Sequence, residues 1–235
     1  EEPPESVGRL LAAGSETEAL RQWRRMRRSR RTVPTEALAG AKLAAGQGWS
    51  TDSIRWLLSG FRELGTVDMD RAPKNAVHAY LPLRWRRALT AAAREAGIDP
   101  WLIAGIARQE SGFVAHAMSP RGAIGVLQLL PSTARPHARA LGLGSKPDLR
   151  DPEINLRLGA RELSALMRRF GAVEPALAAY NGGLTRARSW WKRWPDRHRF
   201  TEEIPVPETY NYVRRVVFLG EAYRLAYQDE WRKGQ

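Results

Sequence analysis

The residue of this chain best placed to do chemistry is Glu110. It closes a stretch that opens Asp99-Pro100-Trp101-Leu102-Ile103, where an N-cap aspartate and a first-turn proline predict a helix over 100–111. Leu102, Ile103, Ile106 and Phe113 recur on one face at helical spacing, and Glu110 falls inside that apolar stripe. A carboxylate on such a face is costly unless it is neutral or hydrogen-bonded. Desolvation raises its pKa above the usual value of about 4.3, which suits a general acid near neutral pH. The plainer alternative is a glutamate at a helix end that reaches water or Arg108.

Other chemistries are poorly provided for. Cysteine is absent, so thiol nucleophiles, zinc knuckles and disulfides are out. His78, His116, His137 and His198 lie far apart without a metal-ligand spacing, and no glycine loop cradles a phosphate, so neither metal nor cofactor is expected. The formal net charge of +13, carried mostly by arginine, attracts polyanions: nucleic acid, anionic lipid or an acidic wall polymer. It is equally compatible with solvated helix faces. The run Arg24, Arg25, Arg27, Arg28, Arg30 and Arg31, interspersed with Trp23 and Met26, reads as the wet end of an amphipathic helix. Trp190, Trp191 and Trp194 stand among Arg186, Arg188, Lys192 and Arg193; a groove wall or core edge is expected of them rather than nucleic-acid binding.

The elements that must position these residues are helical. Apolar residues recur at three- and four-residue spacing and alternating strands are missing, so an all-α fold is expected. An arm over residues 1–75 is expected to hold helices near 6–13, 16–28, 35–45 and 51–64. It contains a weak echo, Leu11-Ala12-Ala13-Gly14 against Leu43-Ala44-Ala45-Gly46 and Trp23 against Trp56, at the period of a tetratricopeptide-like helical hairpin. A plain helical bundle fits as well. Residues 70–83 read as a linker, with Pro73 and Pro82 discouraging helix. A second domain over 76–235 is expected to carry helices near 84–96, 100–111, 131–140, 152–170, 173–180, 186–192 and 208–227. No apolar run approaches the roughly 20 residues of a membrane span, so a soluble chain is expected. The first residue is Glu1, not Met, so the sequence is expected to begin after a removed leader or at a boundary.

Three motifs then follow in order. The first runs Glu110-Ser111-Gly112-Phe113, Ala117-Met118-Ser119-Pro120-Arg121-Gly122-Ala123-Ile124-Gly125-Val126-Leu127-Gln128, and Pro131-Ser132-Thr133-Ala134. The second is Ala179-Tyr180-Asn181-Gly182-Gly183. The third is Ile204-Pro205-Val206-Pro207-Glu208-Thr209-Tyr210-Asn211-Tyr212-Val213. Together they resemble the soluble lytic transglycosylases over roughly residues 83–225. Two positions depart from that family's pattern: Leu127 stands where it has Met in Gly-Leu-Met-Gln, and Gly182 where it has Ala.

The resemblance implies a lysozyme-like catalytic domain that cleaves the bond between N-acetylmuramic acid and N-acetylglucosamine in peptidoglycan, leaving 1,6-anhydro ends, with Glu110 as the single acid/base. It implies that Ser119 and Tyr180 reach the catalytic carboxyl, and that Leu127, Gln128, Asn181, Glu208 and Tyr212 bind substrate. Gly122 and Gly125 let the intervening loop fold back over the Glu110 helix. The expected partners are glycan strands and, through the arm, cell-wall machinery, in the periplasm or cell envelope. A goose-type lysozyme that hydrolyses the same bond, and a non-catalytic peptidoglycan- or nucleic-acid-binding module, remain as alternatives.

Overall fold

The computed structural model describes residues 5–26, 34–46, 50–60 and 74–232. Among these the chain is α-helical, and extended pairing is confined to isolated bridges joining Met118, Ile124 and Leu129. It divides into two compact units, Glu1–Pro82 and Leu83–Gln235.

The first unit holds α1 (Glu5–Ala12), α2 (Glu16–Met26), α3 (Pro34–Gly46), α4 (Ser50–Gly60) and α5 (Lys74–Tyr80). Its core gathers Val7, Ala19, Trp23, Ala41, Ala44, Trp56 and Leu57. The two tryptophans of the sequence echo meet there, ring centroids 4.8 Å apart and planes inclined at 57°. Gly40 makes room for one of them, since a Cβ at that position would lie 2.3 Å from the Trp56 ring. The stretch expected as a linker contains α5 instead. Its prolines flank the helix without interrupting it, Ala76 and Ala79 are buried in the first unit's core, and Ser53 Oγ donates to the Ala79 carbonyl at 3.3 Å. The arginine run beyond Met26, and the side chain of Arg24, lie outside the described residues. Arg25 pairs with Glu18 at 2.8 Å, in line with a solvated helix face.

The second unit comprises α6 (Arg86–Ala96), α7 (Pro100–Glu110), α8 (Pro131–Ala140), α9 (Pro152–Phe170), α10 (Val173–Gly182), α11 (Leu184–Arg193), α12 (Arg197–Glu202) and α13 (Pro207–Arg232). Helix α7 is its axis: Trp101 through Ala107 are all buried. It starts where expected, with Asp99 accepting from the Trp101 N–H at 3.0 Å. Helix α13 lies against it at unusually short range. A Cβ at Gly105 would sit 2.8 Å from the Val216 carbonyl oxygen and 3.0 Å from the Gly220 nitrogen, so the crossing requires glycine at 105.

Phe113 is fully buried as its spacing suggests, but it is not on the helix. Gly112 and Phe113 both take left-handed φ, 61° and 65°, and break the chain out of α7. The turn drives the Phe113 ring between Trp85 and Tyr223, at centroid distances of 6.4 and 6.1 Å. The short α12 has no counterpart among the expected helices. Asp196 caps it by accepting from the Arg199 N–H at 2.9 Å, and it buries Phe200 edge-on to Trp191 at 5.4 Å. Trp191 therefore serves a core edge.

Candidate active site

The site is built on the loop between α7 and α8, which folds back on the end of α7 through side-chain-to-backbone bonds. Ser111, next to Glu110, donates to the Val126 carbonyl at 2.8 Å and accepts from the Val114 N–H at 3.1 Å. Asn155 of α9, completely buried, holds the loop from the other side. Its carbonyl accepts from the Leu127 N–H at 2.8 Å, and its amide donates to the Ile124 and Leu149 carbonyls, each at 2.9 Å. Gly125, at φ 84°, must be glycine on both counts: its conformation is left-handed, and a Cβ would lie 2.2 Å from the Leu149 oxygen and 2.3 Å from Asn155 Nδ2.

This loop and α7, α9, α10 and α13 enclose a groove of about 700 Å³ into which Glu110 opens. The Tyr212 hydroxyl, reaching from α13, donates to Glu110 Oε1 at 2.7 Å. Burial raises the Glu110 pKa from its ordinary 4.5 to about 7; the Tyr212 hydrogen bond opposes the rise and the charge of Glu208 adds to it. Position at the C-terminal end of a helix also disfavours the carboxylate. At neutral pH the group is therefore close to half protonated, able to give a proton and take one back.

The other expected residues are brought to the same place, several in different roles. Tyr180 lines the groove, but its hydroxyl donates to the Leu127 carbonyl at 2.9 Å and not to Glu110. Burial and the charges of Glu110 and Glu162 push the Tyr180 phenol well above its usual range, so it stays a neutral donor. Tyr212, expected to bind substrate, is the carboxyl's partner. The Ser119 Oγ accepts from the Ala123 N–H at 3.0 Å, closing the turn at 119–123 on the groove wall instead of bonding Glu110.

Leu127 is a correction of another kind: its side chain is buried against Gly159, where a Cβ would come within 2.4 Å of it, so it contributes to the core and its backbone carbonyl to the site. Gln128 holds a left-handed φ of 48°, and its Nε2 is spent on the Ala117 and Gly125 carbonyls at 3.1 and 3.0 Å. Only the carbonyl end remains for a ligand. Asn181 and Glu208 also line the groove.

Sequence reasoning missed three residues. Asn155 had a signal, a short polar amide between Ile154 and Leu156 on an otherwise apolar helix face. Thr209, buried, donates to Asn181 Oδ1 at 2.8 Å and ties α13 to the end of α10. That contact also explains Gly182, whose Cβ would lie 2.9 Å from Thr209 Oγ1. The third is Glu162, which lines the groove from α9.

Replacing Tyr212 with Phe removes the one hydrogen bond that favours the ionised Glu110. The Glu110 pKa is expected to rise further, by up to about one pH unit, carrying the alkaline limb of any acid-dependent activity upward with it. A pH–rate profile of Y212F against wild type reads this directly. An unmoved or lowered limb would separate Tyr212 from the titration of Glu110.

Fold and site together define an all-α, lysozyme-like unit in which a largely buried glutamate, Glu110, opens into a groove. Residues 87–201 match the family model described as "Transglycosylase SLT domain", and over this part the chain is similar to the soluble lytic transglycosylases. The soluble lytic murein transglycosylase of Salmonella typhimurium is 32% identical over 170 residues, 65% of this chain and 26% of that protein. A transglycosylase of Enterobacteria phage PRD1 is 36% identical over 105 residues, 45% of this chain and 37% of the relative. Among solved structures, an inactive Glu-to-Gln mutant of the lytic transglycosylase Slt from Pseudomonas aeruginosa superposes with a TM-score of 0.72 at 28% identity, covering 95% of this chain and 34% of the other. A 70 kDa soluble lytic transglycosylase in complex with bulgecin A gives the same TM-score at 26% identity, over 96% and 38% of the two chains. The chain thus spans about a quarter to two fifths of the length of these relatives. Among the described residues no helix is long and apolar enough to cross a membrane.

Proposed function

We propose that the chain is a peptidoglycan lytic transglycosylase acting on the β-1,4 bond between N-acetylmuramic acid and N-acetylglucosamine, with Glu110 as its single acid and base. The observation that carries this reading is the Glu110 carboxyl itself. It opens into the groove, is held on one oxygen by Tyr212, and has a pKa of about 7. The inactive mutant of a relative supports it, because in that protein one glutamate is exchanged for glutamine.

In the first step the protonated Glu110 gives its proton to the glycosidic oxygen as the C1–O bond breaks, and the muramyl 2-acetamido oxygen stabilises the electron-poor C1 as an oxazolinium-like intermediate. The Glu110 carboxylate so formed then takes the proton of the muramyl C6 hydroxyl. That oxygen attacks C1, the acetamido oxygen departs, and a 1,6-anhydro ring closes while Glu110 regains its proton. Intramolecular attack needs no enzymatic nucleophile, unlike glycosidases with a carboxylate pair, and gains from proximity what a bulk water lacks. Asn181, Glu208, Ser119 and the Gln128 carbonyl line the path as binding groups. Such a substrate belongs to the cell envelope or periplasm, and the proposal puts the chain there.

The product decides between this reaction and hydrolysis of the same bond. Digested peptidoglycan should release muropeptides lighter by one water than their hydrated counterparts, as mass spectrometry reads them. Hydrated, reducing products would replace the transglycosylase by a lysozyme and keep Glu110 as the acid.

We further propose that the second unit holds the whole catalytic apparatus, since every residue named in it lies beyond Pro82. A chain beginning at Leu83 is expected to keep its helical circular dichroism and cleave purified peptidoglycan. A folded but inert product would mean that the first unit completes the groove.

A further inference from the structure

Glu162 has no part in the chemistry above, yet it faces the same groove as Glu110, Tyr180 and Asn181. Its Oε2 lies 2.6 Å from Nε2 of His137 on α8, and the two side chains are 23% and 19% exposed. The pair is not required to hold α8 on α9, because Ala134, Ala138 and Leu158 already form an apolar contact there. Among the described residues Oε1 of Glu162 has no partner, so one oxygen is fixed and the other is left open on a residue that lines the groove.

The charge of the lining matters too. Although the chain carries +13, the groove is lined by Glu110, Glu162 and Glu208 against a single cation among the described residues, Arg121. The basic excess lies elsewhere, and this stretch of wall selects for hydrogen-bond donors.

We infer that Glu162 is a specificity-determining residue: its free oxygen accepts a hydrogen bond from an N–H or O–H donor of the bound polymer, and His137 is the positioning residue that holds it there. This rests on the reading of the groove as a peptidoglycan site. The donor has two sources, a hydroxyl or acetamido N–H of the sugar, or the ammonium of a peptide stem.

Binding measured without turnover tests it. The parent is E110Q, titrated calorimetrically with stem-free glycan oligomers and with stem-bearing ones, beside E110Q/E162Q, E110Q/E162A and E110Q/H137N. Loss of a hydrogen bond to a charged acceptor is expected to weaken binding roughly tenfold or more in the E162A variant, with E162Q and H137N shifted less in the same direction. Weakening with both ligands assigns the donor to the sugar, and weakening with stem-bearing ligand alone assigns it to the stem ammonium. In the active enzyme, E162Q should raise KM with kcat little changed. Affinities within twofold of the parent on both ligands, from variants with unaltered thermal unfolding, would overturn the inference, as would a fall in kcat at constant KM. A parent that binds neither ligand would instead bring down the peptidoglycan reading, and this inference with it.

Discussion

Glu110→Gln should fold, bind substrate and lose activity by about 10²–10⁴-fold, the share that general acid–base catalysis contributes. The amide keeps the shape of the carboxyl and can still meet the Tyr212 hydroxyl, but it has no proton to give to the leaving oxygen. Zymography retaining more than a tenth of wild-type activity would remove Glu110 from the role. In the wild type, activity that needs the protonated acid should fall as pH rises through about 7.

The same titration predicts a stability difference. With a pKa raised from 4.5 to about 7, folded Glu110 binds its proton more tightly than the unfolded chain does. Its contribution is complete below the unfolded value and is lost as pH rises through that window, then constant above it. The amide of the E110Q variant does not titrate and has no such slope. At about 1.4 kcal/mol per pH unit, E110Q should gain on wild type between low and high pH by up to about 3 kcal/mol. Denaturant unfolding at pH 4 and pH 8 measures the gain, and an equal pH slope in the two proteins would refute the shifted carboxyl.

The second large effect is expected far from any reacting atom. Asn155→Ala removes both ends of the staple on the α7–α8 loop, leaving the Leu127 N–H and the Leu149 carbonyl without partners in a buried setting and the Ile124 carbonyl with the Leu129 N–H alone. Each orphaned group costs about 1–3 kcal/mol, so a loss of roughly 2–5 kcal/mol is expected. Activity should fall even at temperatures where the variant stays folded, because the same loop carries Ser119, Arg121 and Gln128 on the groove wall. A loss under about 1 kcal/mol would mean that the loop is held by other contacts.

Asn155 illustrates what the sequence does not disclose. Its neighbours Ile154 and Leu156 announce a helix and a core, but only the returned loop shows what a buried amide is for. Glu110 was legible because a single helical period carries both its burial and its chemistry. The motif tyrosines were legible as site residues, but their hydroxyls exchange roles. Tyr212 takes the carboxyl and Tyr180 takes the Leu127 backbone, because helix rotation and crossing decide where a ring points, and spacing along one chain does not encode them. Leu127 turned inward for the same reason, with Gly159 providing the space. The unanticipated α5 and α12 are short, with seven and six residues. Periodicity has little to count over such lengths, and flanking prolines or an aspartate cap then outweigh it.

The contact between Gly105 and α13 makes the site a lever with a fulcrum. From that crossing Glu110 lies about 7 Å along one helix, and Tyr212 about 6 Å from Val216 along the other, at a rise of about 1.5 Å per residue. A methyl group at 105 would wedge the helices apart at the pivot and open the 2.7 Å bond at the far end. The proton affinity of Glu110 is thus a gauge of the spacing between two helices. Changes in a stretch of backbone that carries no functional group should surface first as a drift in the pH at which the enzyme works.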